Sequence, residues 1–474
     1  MAPSVAQSRF ERSQEAFVEL AATLTIIMLG AGVFLSFAAF AWVSVREQER
    51  RASIIAIGLS FASSMPFFIL AATASLQIQL LGLGILTILA LLGLLLFYLP
   101  VGRIPPRNDI PENRFDERDI MFARARLQPG SQRYEDYYRA HPEKKSADDH
   151  FRQLPGLMSM EAQEANRWAF ASAEASFSLT EALREEVTGP SGEGLHQLPP
   201  PAMTEVVKAL TRYYGARTVG ITELRPYHLY SHIGRGSGTY GTPIELSHRT
   251  AIAFTVEMDY EMMGPAPKAV TVMESARQYV EAAKIALQLC NWIRSLGHPA
   301  RAHIDGNYRL IAPLVARDAG LGEIGRMGLL ITPELGPRVR LGVVTTDLEL
   351  VPDERLDGRA IIDFCTICRK CAENCPSRSI PFGNRSEIDG AFRWRIDADS
   401  CFHYWNVVGT DCGRCMTVCP YSHPDNWTHN LVRWLVARSG TARRISLWLD
   451  DLFYGRKPKP RPSPRWIPLD EDRH

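Results

Sequence analysis

The sequence predicts a layered α/β domain of the α+β kind, preceded by membrane-spanning helices and followed by a small cysteine-rich domain. Three observations carry this. Residues 20–45 and 52–102 contain no charged side chain. Between 203 and 350 the hydrophobic period alternates between that of helix and that of strand. Eight of the nine cysteines fall between 365 and 419. The 53 basic and 52 acidic residues leave a net charge of +1, so no nucleic-acid partner is expected.

The apolar runs are Phe17–Val43, Ser53–Thr73 and Leu80–Pro100. Each reaches the roughly 20 residues that a helix needs to cross a bilayer, and one signal peptide cannot account for three such runs. The lipid bilayer is therefore an expected partner. The first loop carries Arg46, Arg50 and Arg51, and the segment after the third run carries Arg103, Arg107, Arg114 and Arg118. The N-terminal tail offers Arg9 and Arg12, and the second loop has no basic residue. The excess places the first loop and everything after residue 100 on the cytoplasmic side of a bacterial inner membrane. Arg50-Arg51 follows a full spanning run, so it is not read as an export signal.

The expected organisation is a tail (1–16), three spanning helices (17–100), a linker and helical region (101–200), a core (201–354), a cysteine-rich domain (355–425), and C-terminal helices with a basic Pro-rich tail (426–474). Residues 161–187 read as a helix, "MTEVVKALTRYYG" as an amphipathic helix, and "MESARQYVEAAKIALQLCNWIRSLG" as a long one. "ARTVGITEL", "RTAIAFTVEMDY" and "RLGVVTTDLEL" read as strands. "NWTHNLVRWLVARSG" and "RRISLWLDDLFYG" read as short amphipathic helices. Asn426 opens a glycosylation sequon, taken as chance in a cytoplasm-facing segment.

"FCTICRKCAENCP" supplies Cys365, Cys368, Cys371 and Cys375 in the C-x2-C-x2-C-x3-C-P run of bacterial two-cluster ferredoxins. "CFHYWNVVGTDCGRCMTVCP" supplies Cys401, Cys412, Cys415 and Cys419. The fourth cysteine of each run reaches the other cluster. Two [4Fe–4S] clusters follow, one on Cys365, Cys368, Cys371 and Cys419, the other on Cys375, Cys401, Cys412 and Cys415. Structural zinc would show two pairs rather than two runs ending in C-x3-C-P. Cys290 stands alone in an apolar helical pattern and reads as a core thiol. "AGLGEIGRMG" formally matches a dinucleotide fingerprint at Gly320, Gly322 and Gly325, but no strand precedes it and no helix follows.

The run "GNYRLIAPLVARDAGLGEIGRMGLLITPELGPRVRLGVVTTDLEL", followed by both cluster motifs with the long gap after Cys401, resembles corrinoid-dependent reductive dehalogenases over roughly residues 200–425. The resemblance implies a corrinoid-binding core like B12-processing flavin-type folds, a ferredoxin-like two-cluster domain, and replacement of halogen by hydrogen in an organohalide. It implies a corrinoid held base-off; the D-x-H-x-x-G loop of other corrinoid enzymes is absent from the sequence. It further implies a proton donor, Tyr279, an assisting cation, Arg340, and a polar partner in "HIDGN", assigned to Asn307 with His303 and Asp305 left open. Arg338 is the alternative to Arg340, and a core aromatic the alternative role for Tyr279. The cation is expected to lower the Tyr279 pKa. In the insertion after Cys401, Phe402, Tyr404, Trp405 and Asn406 are expected to wall the corrinoid from its cluster. Electrons would come from a ferredoxin, a flavodoxin or a quinol pool. The competing readings are an epoxyqueuosine-reductase-like enzyme, another corrinoid reductase, and a membrane-tethered ferredoxin without catalysis.

Overall fold

Helix α1 (Val5–Arg46), α2 (Arg50–Thr73) and α3 (Leu76–Tyr98) occupy the N-terminal runs in a computed structural model that describes residues 5–468, with side chains from Ser13 onward. Arg9 and Arg12 lie outside the described side chains. Ser13–Arg46, Arg50–Thr73 and Leu76–Tyr98 are each long and apolar enough to cross a membrane. At about 1.5 Å of rise per residue the shorter two span roughly 35 Å. Gly30 lets α1 approach α2, because a Cβ there would stand 2.8 Å from Phe67 Cβ. The amide of Gln79, buried in this bundle, accepts from Thr23 (3.0 Å) and donates to the carbonyls of Ala71 and Ala74 (both 3.3 Å). A polar group among apolar helices is thus satisfied internally.

The chain forms two compact units, one of residues 1–103 with 426–458, the other of 104–425 with the segment from Lys459. In the second, residues 104–166 make short helical turns. Arg124, almost wholly buried, pairs with Asp148 and with Asp399 (2.9 Å to Oδ1), fastening this region to the cysteine-rich domain. Helix α4 (Arg167–Ala182) begins later than the sequence pattern suggests because Asn166 caps it, its Oδ1 accepting from Ala169 N (2.9 Å). It tightens into a 3-10 turn over Leu183–Val187.

Helix α5 (Pro200–Tyr213) starts on the prolines that break the preceding chain, where a missing N–H costs nothing. Strands β1 (Thr218–Glu223) and β2 (Thr250–Glu257), helix α6 (Val270–Ser295), β3 (Ala300–His303), helix α7 (Ala312–Asp318), the short β4 (Glu323–Ile324) and β5 (Leu330–Ile331), and β6 (Val339–Thr346) follow. The main sheet has the order β1-β2-β6-β3 with every pair antiparallel. Alternation along β2 divides its side chains between two cores. Ile252, Phe254 and Val256 pack with α5 and α6; Ala251 and Ala253 pack with α7. Strand β3, Ala-Arg-Ala-His, is only four residues long with alanine as its apolar member, and is not legible beforehand.

The glycines of the fingerprint-like run serve packing. Gly320 ends α7 in the left-handed region (φ +78°), with Glu354 O 2.6 Å from where a Cβ would stand. Gly322 and Gly325 lie against Ile331 across the β4–β5 hairpin, and Gly325 also faces Cys365 Sγ (3.5 Å). After β6 the cysteine-rich domain contributes α8 (Arg359–Cys368) and α9 (Ala398–Val408). Helices α10 (Trp427–Arg438) and α11 (Gly440–Tyr454) belong to the same unit as α1–α3. The tail from Lys459 lies in the second unit without regular structure, where Arg461 N donates to Gly264 O (3.1 Å).

Candidate active site and cluster-binding domain

Helix α6 buries a long stripe against the sheet, including Ala276, Ala283, Ala286 and Cys290. Cys290 is a core thiol, pushed up to about 11 by burial. Tyr279 lies at the edge of that stripe, half-buried, its ring 6.2 Å from that of Phe177 on α4. Arg340 on β6 places its Cζ 4.8 Å from the Tyr279 ring centroid. Arg340 Nη2 donates to Ser275 Oγ (2.5 Å), one helical turn before Tyr279, and to Asp411 Oδ2 (2.9 Å). Ser275 in turn donates to Asp411. Asp411 immediately precedes Cys412, so one ion pair joins the tyrosine's cation to the cluster-binding segment.

The electrostatics differ from expectation. Arg340 is the strongest influence on the Tyr279 phenol and pulls its pKa down, but burial, Asp305 and Asp411 together outweigh it, and the net shift is upward. Burial pushes Asp411 up against the opposing pull of Arg340 and Ser275. Tyr308 is raised well above the usual phenol by burial, then by Tyr279 and Asp305.

Of the polar residues in "HIDGN", Asn307 has both ends of its amide engaged. Its oxygen accepts from Arg301 Nη2 (2.8 Å), and its nitrogen donates to Arg184 O (2.9 Å) and Ser237 Oγ (3.1 Å). His303 is likewise buried between Thr345 Oγ1 (3.0 Å) and the Arg309 amide (3.2 Å). Asp305 is the member of the three whose charge acts on Tyr279 and Arg340. Arg338 is fully buried, donating to Ser422 O (3.2 Å) and Glu257 Oε1 (2.8 Å), a clamp between strand and loop. Sequence reasoning left out Ser275, Tyr308 and Asp411. Two of them had a signal: Ser275 lies four residues before Tyr279 on a helix, and Asp411 abuts a ligand cysteine.

None of the eight cysteines of the domain forms a disulfide. The electrostatic neighbours of Cys419 are Cys365, Cys368 and Cys371; those of Cys412 include Cys401 and Cys375. Cys415 feels Cys412, Cys401 and Cys375, and also Cys371 of the other expected set. The Cys368–Cys371 and Cys412–Cys415 turns each contain a left-handed residue, Arg369 (φ 57°) and Gly413 (φ 61°). Arg326, fully buried, donates to Cys365 O (3.1 Å) and Gly383 O (2.6 Å) and feels the charge of Cys365, Cys368 and Cys371. A buried cation beside a thiolate set fits a negatively charged cluster there.

The insertion after Cys401 forms α9. Phe402 packs with Met121 and Phe151, and Trp405 packs against the same cluster. Asn406 donates to Phe402 O (2.8 Å), and its carbonyl accepts from Gly156 N (3.0 Å). Tyr404 feels Cys412 and Cys375, and Trp405 hydrogen-bonds the Cys401 thiol. Arg340 Nε and Asp411 Oδ1 are buried without a partner among the described residues. Buried polar atoms left open in this way fit a wall whose hydrogen bonds are completed by a bound polar group.

Residues 364–423 match the 4Fe-4S dicluster domain. The chain is similar to reductive dehalogenases in sequence and in fold. It is 32% identical over 304 residues to a tetrachloroethene reductive dehalogenase of Sulfurospirillum multivorans, covering 56% of this chain and 60% of that protein. It is 34% identical over 197 residues to one from Desulfitobacterium hafniense, covering 39% of this chain and 35% of that protein. A solved catabolic reductive dehalogenase superposes with a TM-score of 0.61 at 27% identity, covering 75% of this chain and 49% of that one. The chain thus spans between about a third and three fifths of the length of these relatives.

Proposed function

We propose that the chain is a membrane-anchored reductive dehalogenase, in which Tyr279 donates the proton that replaces a departing halide and Arg340 assists it. The single observation that carries this is the Arg340 guanidinium lying 4.8 Å from the Tyr279 ring while paired with Asp411, next to Cys412. The net reaction takes an organohalide, two electrons and one proton to the reduced organic product and a halide ion. A related solved protein is described as B12-dependent, and another was solved with 3-bromo-4-hydroxybenzoic acid.

A corrinoid, when bound, would supply the low-valent cobalt that makes carbon–halogen cleavage accessible. The residues that would hold it are the half-buried Tyr308 and the open polar atoms of Arg340 and Asp411. The remaining work belongs to the protein. Tyr279 keeps its proton at neutral pH as an ordinary phenol does, and its upward shift acts in the same direction. Arg340 stabilises negative charge developing on the phenol oxygen as the proton leaves. Two [4Fe–4S] clusters on the eight cysteines would supply electrons singly, and Asp411, which accepts from Arg340, immediately precedes Cys412.

The three apolar helices support an anchor in the lipid bilayer, and the basic first loop supports a cytoplasmic face for the catalytic unit. A ferredoxin, a flavodoxin or a quinol pool would be the electron source. The test is anaerobic reconstitution with corrinoid, iron and sulfide, followed by a halide-release assay on tetrachloroethene, brominated hydroxybenzoates and chlorinated phenols. Halide release from at least one supports the proposal. No release from any, with both cofactors spectroscopically intact, counts against it.

A further inference from the structure

Helices α10 and α11 carry apolar side chains where a water-facing helix carries polar ones. On α10, Trp427 (60% exposed), Leu431 and Trp434 (49%) follow one another at i, i+4 and i+7, the spacing of one helical face. On α11, Ile445 and Trp448 (63%) repeat the pattern at i and i+3. Large exposed aromatics clustered in this way call for a covering partner.

The hairpin's attachment says what that partner is. Its start is held at the turn between α1 and α2, where Asn426 donates to Glu47 Oε1 (2.5 Å) and His429 Nε2 lies 3.1 Å from the same oxygen. Its middle is held at the end of α3, where Ser439 donates to Phe97 O (2.7 Å). Its end returns to the start of α2, where Arg51 Nε donates to Leu452 O (3.1 Å) and Phe453 packs on Phe40 (4.8 Å between centroids). The α1–α2 turn and the end of α3 lie at the same end of an up-down-up bundle. The hairpin therefore crosses the bundle at one membrane boundary, the boundary that also bears Trp42, Tyr98, Arg46 and Arg50. Arg433, Arg438 and Arg444 add positive charge along it, alongside Asp450 and Asp451. Tryptophan with arginine is the composition that favours the headgroup layer, and anionic lipids complement the charge.

We infer that α10 and α11 form an interfacial collar whose tryptophan face lies in the headgroup–acyl boundary of one leaflet, so that the chain is fixed to the membrane from both sides of its catalytic unit in sequence. This rests on the reading of α1–α3 as membrane-spanning. The test uses the full chain in vesicles of phosphatidylcholine and phosphatidylglycerol brominated high on the acyl chain. The paired change Trp434→Phe and Trp448→Phe is expected to lower the lipid-quenched fraction of tryptophan emission roughly twofold. Trp292→Phe, in α6 of the other unit, is expected to leave it unchanged. Unchanged cluster absorbance in each variant establishes folding. Equal quenching in the paired variant and the parent, with the protein retained through alkaline carbonate, overturns the collar alone and points to a second copy or another protein over that face. Release by carbonate overturns the spanning reading, and the collar with it.

Discussion

Arg340 and Tyr279 are joined by a cation–ring contact of 4.8 Å, and Arg340 is kept there by Ser275 and Asp411. These two bonds hold the cation in place, which suits a group that acts by position rather than by moving. If Tyr279 is the donor, Tyr279→Phe removes one proton and little else. Turnover is expected to fall by about 10²–10⁴. The visible spectrum and the iron content should be those of the parent, and single-turnover halide release measures the loss. Turnover equal to the parent's would take Tyr279 out of the role.

The phenol's pKa sets a pH profile. Burial, Asp305 and Asp411 raise it above the ordinary value against the pull of Arg340. A donor works while it holds its proton, so the loss of activity with rising pH belongs above about 10, with no loss from this group between neutral pH and that point. Arg340→Met removes the strongest downward influence. The expected result is lower turnover with the alkaline limb moved further up. An alkaline limb that moves down in this variant would contradict the assignment of Arg340 as the phenol's stabilising cation.

The sequence made the long features legible and the contact-determined ones obscure. Helix α6 and strands β1, β2 and β6 were readable because their apolar periods persist over six residues or more. Strand β3 was not, because it is only four residues long and its polar members, Arg301 and His303, are buried and hydrogen-bonded. Helix–strand alternation suggested layers but not direction, and each neighbouring pair in the main sheet is antiparallel. At the site, Arg338 and Arg340 are two residues apart and would share one face of a strand, so spacing does not separate them; tertiary contacts do, Arg340 meeting the Tyr279 ring and Arg338 pairing with Glu257. Asn307 could be singled out by type, whereas its engagement by Arg301, Arg184 and Ser237 is a fact of tertiary packing. Phe402 and Trp405, three residues apart on α9, pack in one cluster with Met121 and Phe151, a contact that adjacency in sequence does not reveal.

Asp318 holds a structural network behind the site. Its carboxylate accepts from Tyr227 (2.6 Å) and Arg317 (2.8 Å) and lies 2.9 Å from His228 Nε2. Burial alone would raise its pKa, but His228, Arg317 and Tyr227 together hold it well below the usual carboxylate range. A depressed carboxylate contributes stability above its unfolded pKa of about 3.9, and that contribution disappears as pH falls through the lower folded value. Asp318→Asn should cost about 3 kcal/mol at neutral pH. The difference from the parent should shrink in strongly acidic solution, where the parent's carboxylate also becomes neutral. Urea unfolding of the solubilised protein at several pH values checks both the size and the direction.

Cys401 gives the most selective test of the cluster domain, because its neighbour Trp405 acts on one ligand set. Burial pushes the Cys401 thiol up to about 11 in the company of Cys375 and Asp397, and the hydrogen bond from Trp405 pulls the other way. A donor to a cluster sulfur favours the more negatively charged, reduced state, so it raises that cluster's potential. Trp405→Phe removes the donor and keeps the ring that packs against Phe122 (5.9 Å). The cluster on Cys375, Cys401, Cys412 and Cys415 should shift to lower potential, and that on Cys365, Cys368, Cys371 and Cys419 should not move. A redox titration followed by electron paramagnetic resonance separates the two. Cys401→Ala should go further and lose one cluster while sparing the other. If Cys401→Ala retained both clusters in full, or if Trp405→Phe moved both potentials together, Cys401 would be no ligand and the partition of the eight thiols would have to be drawn again.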